Sequence, residues 1–142
     1  MSLESIKMLV DELSTLHVTR GVQPSELIDN LFEEDYLESS ARKTALGLVF
    51  ELTFQEEDDE GAPSKVSMRY TYSNNRHLVR IEQKVGAKRF CIQWDRVQAV
   101  QERLDKLEAL LVEQLPREMI SEILATMPQD YLSLAPRLQL VA

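Results

Sequence analysis

Apolar and polar residues alternate along much of the chain between positions 46 and 94. In the first such stretch, large apolar residues alternate with a glycine, a valine and two polar residues. The large residues are Leu46, Leu48, Phe50, Leu52 and Phe54, and the intervening ones are Gly47, Val49, Glu51 and Thr53. Alternation with a period of two is typical of a strand with one buried face. The pattern recurs in three later stretches, and the sequence predicts strands over about 46–55, 65–73, 77–85 and 88–94.

The stretches between these strands have the composition of turns and loops. Asn74 and Asn75 tolerate the left-handed backbone of a tight turn, and Gly86 with Ala87 provides a second turn. Five consecutive acids, at positions 56–60, separate the first two strands and predict a solvated loop. The acids are consecutive, so they lack the alternating ligand spacing of a calcium loop. We therefore expect an antiparallel meander of four strands.

Helical periodicity flanks the strands on both sides. Apolar residues recur at spacings of three and four over about 2–17, 24–33, 96–114 and 117–127, which predicts four amphipathic helices. Pro24 suits the first position of the second helix. Asp95 precedes the third helix, with Gln98 at the spacing of a capping box. Residues 36–43 give a weak signal that fits either a short helix or a loop.

The order of helices, strands and helices predicts an α+β fold. We expect a four-stranded antiparallel meander sheet, flanked by N-terminal and C-terminal helices that pack on one face. A chain of 142 residues fits a single domain, 1–142. Within it, residues 1–45 hold the N-terminal helices, 46–94 the sheet, and 95–142 the C-terminal helices and an apolar tail. The expected core combines strand residues with Val100, Leu104 and Leu107 of the third helix. The strand residues expected to be buried are Leu48, Phe50, Leu52, Tyr70, Ile81, Phe90, Ile92 and Trp94.

The net charge of −8 is distributed unevenly along the chain. Residues 1–64 carry −11, residues 65–96 carry +6, and residues 97–142 carry −3. An acidic molecule is disfavoured as a non-specific ligand of nucleic acid or of anionic membranes, although a local basic site is compatible with it. The apolar runs are far shorter than the roughly 20 residues that span a bilayer. With one cysteine and no signal-peptide pattern, the sequence predicts a cytoplasmic protein without membrane association.

No catalytic, cofactor or metal motif is visible. The two histidines, His17 and His77, have no partner at metal-ligand spacing, and Cys91 is expected to be an unreactive thiol. Nucleophile motifs and glycine-rich phosphate loops are absent from the sequence. We therefore expect a protein that is not an enzyme and has no cofactor.

A basic face of the sheet is one candidate binding surface. Alternation places Arg69, Arg80 and Arg89 opposite the apolar side chains of their strands, and such a face can receive phosphates. Recognition of single-stranded RNA also requires aromatic side chains on that face. The alternation places Tyr70, Tyr72, Phe90 and Trp94 on the other one. The alternative is that these arginines pair with the protein's own acids.

A protein-binding surface is the favoured candidate, because the chain has more apolar segments than one sheet face can cover. The expected surface comprises residues of the last helix and the apolar tail: Met119, Ile123, Met127, Leu138 and Leu140. The function expected from the sequence is a non-enzymatic protein–protein interaction module, such as a small acidic chaperone, adaptor or inhibitor-like protein. A homodimer built on the C-terminal helices is one form of this hypothesis. The alternative is a nucleic-acid-associated protein that uses the basic sheet face.

Overall fold

The computed structural model describes residues 3–135 and divides the chain into two compact units. The helical unit comprises Met1–Thr19 and Val97–Ala142, and the sheet unit comprises Arg20–Arg96. The helical unit is therefore built from both ends of the chain. Single-domain behaviour over 1–142 stays a prediction.

The helices and strands follow the expected order, with one additional strand and one additional short helix. The helical unit contains α1 (Leu3–Val18), α3 (Arg96–Gln114), α4 (Arg117–Leu124) and α5 (Gln129–Leu132). The sheet unit contains α2 (Pro24–Ile28), a 3₁₀ helix (Asp29–Phe32), β1 (Tyr36–Thr44), β2 (Gly47–Glu57), β3 (Pro63–Ser73), β4 (Leu78–Val85) and β5 (Cys91–Asp95). The α+β class with a single antiparallel sheet is confirmed.

The sheet has five strands in the order β1-β2-β3-β4-β5, so the expectation of four strands is wrong. The additional strand is β1, which covers the stretch that the sequence left as a short helix or a loop. All but two of its residues are exposed. An edge strand that buries neither face needs no alternating apolar side chains, so its sequence carries no period-two signal.

One face of the sheet carries the core of its unit. The antiparallel registers align Phe50 of β2 with Tyr70 of β3, Ile81 of β4 and Trp94 of β5. The buried members of this core are Leu27, Phe50, Leu52, Tyr70, Tyr72 and Leu78. Leu27 comes from α2, which begins at Pro24 and places this leucine among the strand residues. Thus α2 and the inner face of the sheet form one small core.

A register shift in the last strand pair reverses the face of two expected core residues. Ile81 pairs with Trp94 and Glu82 pairs with Ile92, so Gln93 is an extra residue in β5. An extra residue of this kind is a β-bulge, which re-aims the side chains on either side of it. Trp94 shares the face of Ile81, whereas Ile92 lies with Glu82 and is 53% exposed. The expectation that Ile92 is buried is therefore wrong.

The helical unit has a core of its own. Leu104, Leu107 and Leu111 of α3 are fully buried, together with Leu13 of α1 and Leu124 of α4. These residues recur at three and four positions along α3, which places them on one side of that helix. The expected burial of Val100, Leu104 and Leu107 is confirmed. They cluster with other residues of the helical unit. Packing of these helices on one face of the sheet stays a prediction.

Candidate functional site

The polar face of the sheet contains an arginine that is held by two carboxylates. Arg69 donates from Nε and Nη2 to the two carboxylate oxygens of Glu82, at 3.1 and 3.0 Å. A second carboxylate, that of Glu51, lies 3.8 Å from Nη1. The hydrogen bond to Glu82 raises the pKa of Arg69 above its ordinary value. This paired, bidentate geometry makes Arg69 a structural link between β2, β3 and β4.

The other two arginines of the expected basic face differ from each other. Arg80 donates from Nε to Asp95 at 3.0 Å, and its side chain is nearly half exposed. Arg89 lies in the loop between β4 and β5 and is exposed. Two of the three arginines are therefore neutralised by carboxylates of the same unit. Carboxylates already occupy guanidinium N–H donors that a phosphate would need.

Phe90 also lies on this face, contrary to the expectation that it joins Tyr70 and Trp94. The guanidinium carbon of Arg69 is 3.9 Å from the centroid of the Phe90 ring, and the amino nitrogen of Lys84 is 5.8 Å from it. Contact at such distances is a cation–π interaction. The bulge at Gln93 explains the reversal, because Phe90 and Ile92 both lie beyond it. The polar face thus has an aromatic ring, but Arg69 already covers one side of it.

A small polar cavity lies beside Phe90. Its volume is about 270 Å³, and it is lined by Glu38, Ser39, Ser40, Glu51, Thr53, Ser67, Lys84 and Phe90. The hydroxyls of Thr53 and Ser67 are hydrogen-bonded to each other at 3.0 Å. The lining therefore offers two carboxylates and one ammonium group, a charge balance that does not favour an anionic ligand.

The two core tyrosines are held as neutral phenols. The hydroxyl of Tyr72 donates to the carbonyl oxygen of Val22 at 2.7 Å. Burial raises the pKa of Tyr72 well above its ordinary value, and burial also raises that of Tyr70. A phenol with a raised pKa is a poor general base at neutral pH. Both residues therefore belong to the structural core of the sheet unit.

The histidine and cysteine residues form no recognisable reactive site. His17 Nε2 lies 3.3 Å from the Asp130 carboxylate, and its ring packs edge-on against Tyr131 with the centroids 5.2 Å apart. This contact links α1 to α5, and the sequence spacing gave no signal for it. Cys91 is exposed. Among residues 3–135, no group of three or more His, Cys, Asp or Glu side chains could hold a metal ion.

An apolar groove lies between α1 and α4 of the helical unit. Its volume is about 370 Å³, and it is lined by Leu3, Ile6, Lys7, Val10, Glu122, Ile123 and Thr126. The residues from α1 are spaced by three and four, so they lie on one side of that helix. Leu3 is 57% exposed and Ile6 is buried, so the groove has an open end and an apolar floor.

The residues of the expected partner surface divide into three groups. Ile123 is half-buried and lines the groove, and Met119 on the same helix is 39% exposed. Met127 is 4% exposed and belongs to the helical core, so the expectation that it is exposed is wrong. Its position after the end of α4 turns it inward. Leu138 and Leu140 lie outside the described residues.

No protein-family model, curated protein or solved structure matches this chain. Within the described range 3–135, none of the helices has the length and apolar character needed to cross a bilayer.

Proposed function

We propose that this protein is a non-enzymatic protein-binding module whose helical unit receives an apolar segment of another protein. The groove between α1 and α4 is the observation that supports this proposal. It combines an apolar floor with the exposed Leu3 at its margin, an arrangement that suits the apolar face of a helix. As the sequence suggests, we place this activity in the cytoplasm, in a small acidic protein of the chaperone, adaptor or inhibitor type.

The lining of the groove defines the chemistry of the segment. Ile6, Val10 and Ile123 offer contacts to aliphatic or aromatic side chains, which gain free energy when they leave water. Lys7 and Glu122 carry opposite charges, so the polar lining favours neither a strongly acidic nor a strongly basic segment. A short amphipathic helix with apolar residues three and four positions apart fits this pattern.

The second candidate function is binding of nucleic acid by the basic sheet face. Phe90 and the exposed Arg89 are the features that favour it. The ion pairs of Arg69 and Arg80 weigh against it, because phosphate binding would have to break them. We therefore rank protein binding first.

Selection of peptides from a displayed library on the full-length chain tests the proposal. We expect enrichment of sequences with apolar residues at spacings of three and four, and binding of a purified selected peptide is then measured by fluorescence anisotropy. Leu3→Glu should weaken that binding at least about tenfold, since a charge at the groove margin must be desolvated on binding. Val112→Glu changes an exposed apolar residue of the same unit outside the groove and serves as the matched control.

Two outcomes contradict the proposal. One is a selection without apolar enrichment, and the other is a peptide that binds wild type and Leu3→Glu equally. A fluorescent single-stranded oligonucleotide is titrated in parallel at physiological salt. Binding of the oligonucleotide that is lost in Arg89→Glu, without any peptide binding, would favour the nucleic-acid alternative.

A further inference from the structure

β1 is one of the two edge strands of the five-stranded sheet, and β5 is the other. β1 pairs with β2 on one side, and no strand of residues 3–135 lies on its other side. An exposed edge strand offers unpaired backbone N–H and C=O groups to another strand. Proteins usually protect such edges with proline, with bulges or with charged side chains. In β1 the residues after the bulge at its start contain charges of both signs and no proline.

The hydrogen-bond pattern of the sheet shows which residues of β1 face the open edge. The N–H of Gln55 in β2 donates to the carbonyl oxygen of Asp35 at 2.8 Å, on the β1 side. The backbone N–H and C=O groups of successive residues point to alternate sides of a strand. The groups of the odd-numbered residues of β2 therefore point toward β1. The register pairs those residues with Glu38, Ser40 and Arg42. The intervening residues, Ser39, Ala41 and Lys43, therefore turn their N–H and C=O groups outward.

Two of the three charged residues of β1, Glu38 and Arg42, lie symmetrically about Ser40, whereas the third, Lys43, has no charged counterpart. Glu38 precedes Ser40 by two positions and Arg42 follows it by two, and both are exposed. Along one strand they are about 13 Å apart, too far to pair with each other. Neither has an ion-pair partner elsewhere in the described part of the chain. Opposite charges at equal distances from a centre are complementary to a second copy that runs antiparallel.

We propose that β1 pairs antiparallel with β1 of a second copy, about a two-fold axis at Ser40. In this register Glu38 lies opposite Arg42 of the second copy, and by symmetry the pair occurs twice. Ser39 lies opposite Ala41 of the second copy, and both residues turn their backbone groups toward the interface. The pairing therefore satisfies outward N–H and C=O groups while it neutralises both charges.

Neighbouring registers lack this complementarity. An axis at Ser39 places Glu38 opposite Ser40, and an axis at Ala41 places Arg42 opposite Ser40, so neither forms an ion pair. A two-fold axis midway between two residues places a residue whose N–H and C=O face the open edge opposite one whose N–H and C=O face β2. Hydrogen bonds between the two copies of β1 are then lost. The axis at Ser40 is thus the register that satisfies both the backbone and the charges.

Exposed apolar side chains lie near both ends of the same strand. Phe32 and Leu46 are the most exposed large apolar residues within 3–135, at 93% and 83%, and Leu37 is 44% exposed. Phe32 and Leu37 are near the start of β1, and Leu46 is in the turn after its end. Antiparallel pairing brings the start of one β1 beside the end of the other. It therefore adds apolar burial to an interface that hydrogen bonds alone would leave small.

Sedimentation equilibrium of the full-length chain tests this proposal with a charge swap. Wild type should sediment with twice the mass of one chain at high concentration. Glu38→Arg and Arg42→Glu each place two like-charged pairs in the interface and should raise the dimer dissociation constant about tenfold or more. The double variant with both substitutions should restore wild-type affinity. Glu60→Arg makes the same charge change in the acidic loop and should leave dimerisation unchanged.

A backbone variant supplies an independent test. Ala41→Pro removes an N–H that faces the open edge, so it blocks the second copy while it keeps the hydrogen bonds between β1 and β2. We expect a folded monomer, with circular dichroism as the check of folding. If this variant does not fold, the charge swap decides. A wild-type monomer at all concentrations, or a dimer whose affinity both charge variants and the swap leave unchanged, would overturn the proposal. Leu3→Glu should not affect dimerisation, so this proposal and the groove proposal can fail separately.

Discussion

The guanidinium group of Arg69 lies over the ring of Phe90, with 3.9 Å between its central carbon and the ring centroid. Two residues that alternation places on opposite faces of the sheet are thus in direct contact. The bulge at Gln93 allows this contact, because it turns the first part of β5 toward the polar face. Arg69 also binds Glu82 through both carboxylate oxygens. One side chain therefore links three strands and an aromatic ring.

Arg69→Gln is expected to destabilise the sheet unit by about 1.5–3 kcal/mol, the range for losing hydrogen bonds to a charged group. The substitution leaves the Glu82 carboxylate, whose side chain is 14% exposed, without its main partner. Urea unfolding followed by tryptophan fluorescence measures the change. Arg80→Gln is the matched control, because its pair with Asp95 is more exposed and should contribute about 0–1 kcal/mol. Equal costs for the two variants would show that Arg69 contributes no more than a surface pair.

Gly47 is expected to tolerate no side chain. Its φ is 154°, and a Cβ atom built on it would lie 1.9 Å from the carbonyl oxygen of Tyr72 in the neighbouring strand. Gly47→Ala must therefore separate two paired strands, and we expect a loss of about 3 kcal/mol or more in the free energy of unfolding. Gly61→Ala is the control. Gly61 also has a positive φ, of 81°, but its Cβ would meet no atom within 4 Å, so its loss should be near 1 kcal/mol. A smaller loss for Gly47→Ala than for Gly61→Ala would contradict the steric argument.

The apolar pattern of the sequence predicts the helices and strands that bury one face. The strands β2, β3 and β4 and the helices α1 and α3 begin and end within a few residues of the expected positions. Each of them buries one face, and burial of one face is what produces a readable period. β1 has no such period, because its residues are mostly exposed on both faces, and the sequence therefore does not predict this strand.

The positions of the candidate site residues depend on a bulge, a helix end and a strand register, which the periodicity of the sequence does not determine. A single extra residue, Gln93, changes the face of Phe90 and Ile92, and no feature of the alternation locates that bulge. Met127 follows the end of α4, where helical spacing no longer fixes the direction of a side chain. The ion pair between Arg69 and Glu82 depends on the register of β3 against β4, which is set by turns and packing across the whole sheet.

The stability of the sheet unit is expected to fall at high pH because of Tyr70 and Tyr72. Burial raises the pKa of both phenols in the folded chain, whereas an unfolded tyrosine has a pKa of about 10. Below that value both states are protonated and this contribution is fully present. As the pH rises above it, the unfolded chain loses protons that the folded chain retains, so stability decreases.

Tyr72→Phe tests the origin of this pH dependence. The variant loses the hydrogen bond to Val22 and should be about 1 kcal/mol less stable at neutral pH. Its stability should then decrease less between pH 9 and pH 11 than that of wild type, as measured by urea unfolding at each pH. Tyr36→Phe, at a residue whose hydroxyl forms no such bond in the described chain, is the control. An equal slope in wild type and Tyr72→Phe would exclude Tyr72 as the source.

Leu104→Ala is expected to cost about 2–5 kcal/mol, since Leu104 is 0% exposed in the core of the helical unit. Val18→Ala, at a position that is 74% exposed, should change stability by less than about 0.5 kcal/mol.

Circular dichroism at the helical band follows the helices, and the single tryptophan, Trp94, reports on the sheet unit. If both signals shift together in Leu104→Ala, the chain unfolds as the single domain that its length predicts. If the fluorescence midpoint stays at its wild-type value while the helical signal shifts, each unit unfolds with its own core. A stable Leu104→Ala variant would show that the cavity left at this position collapses without cost.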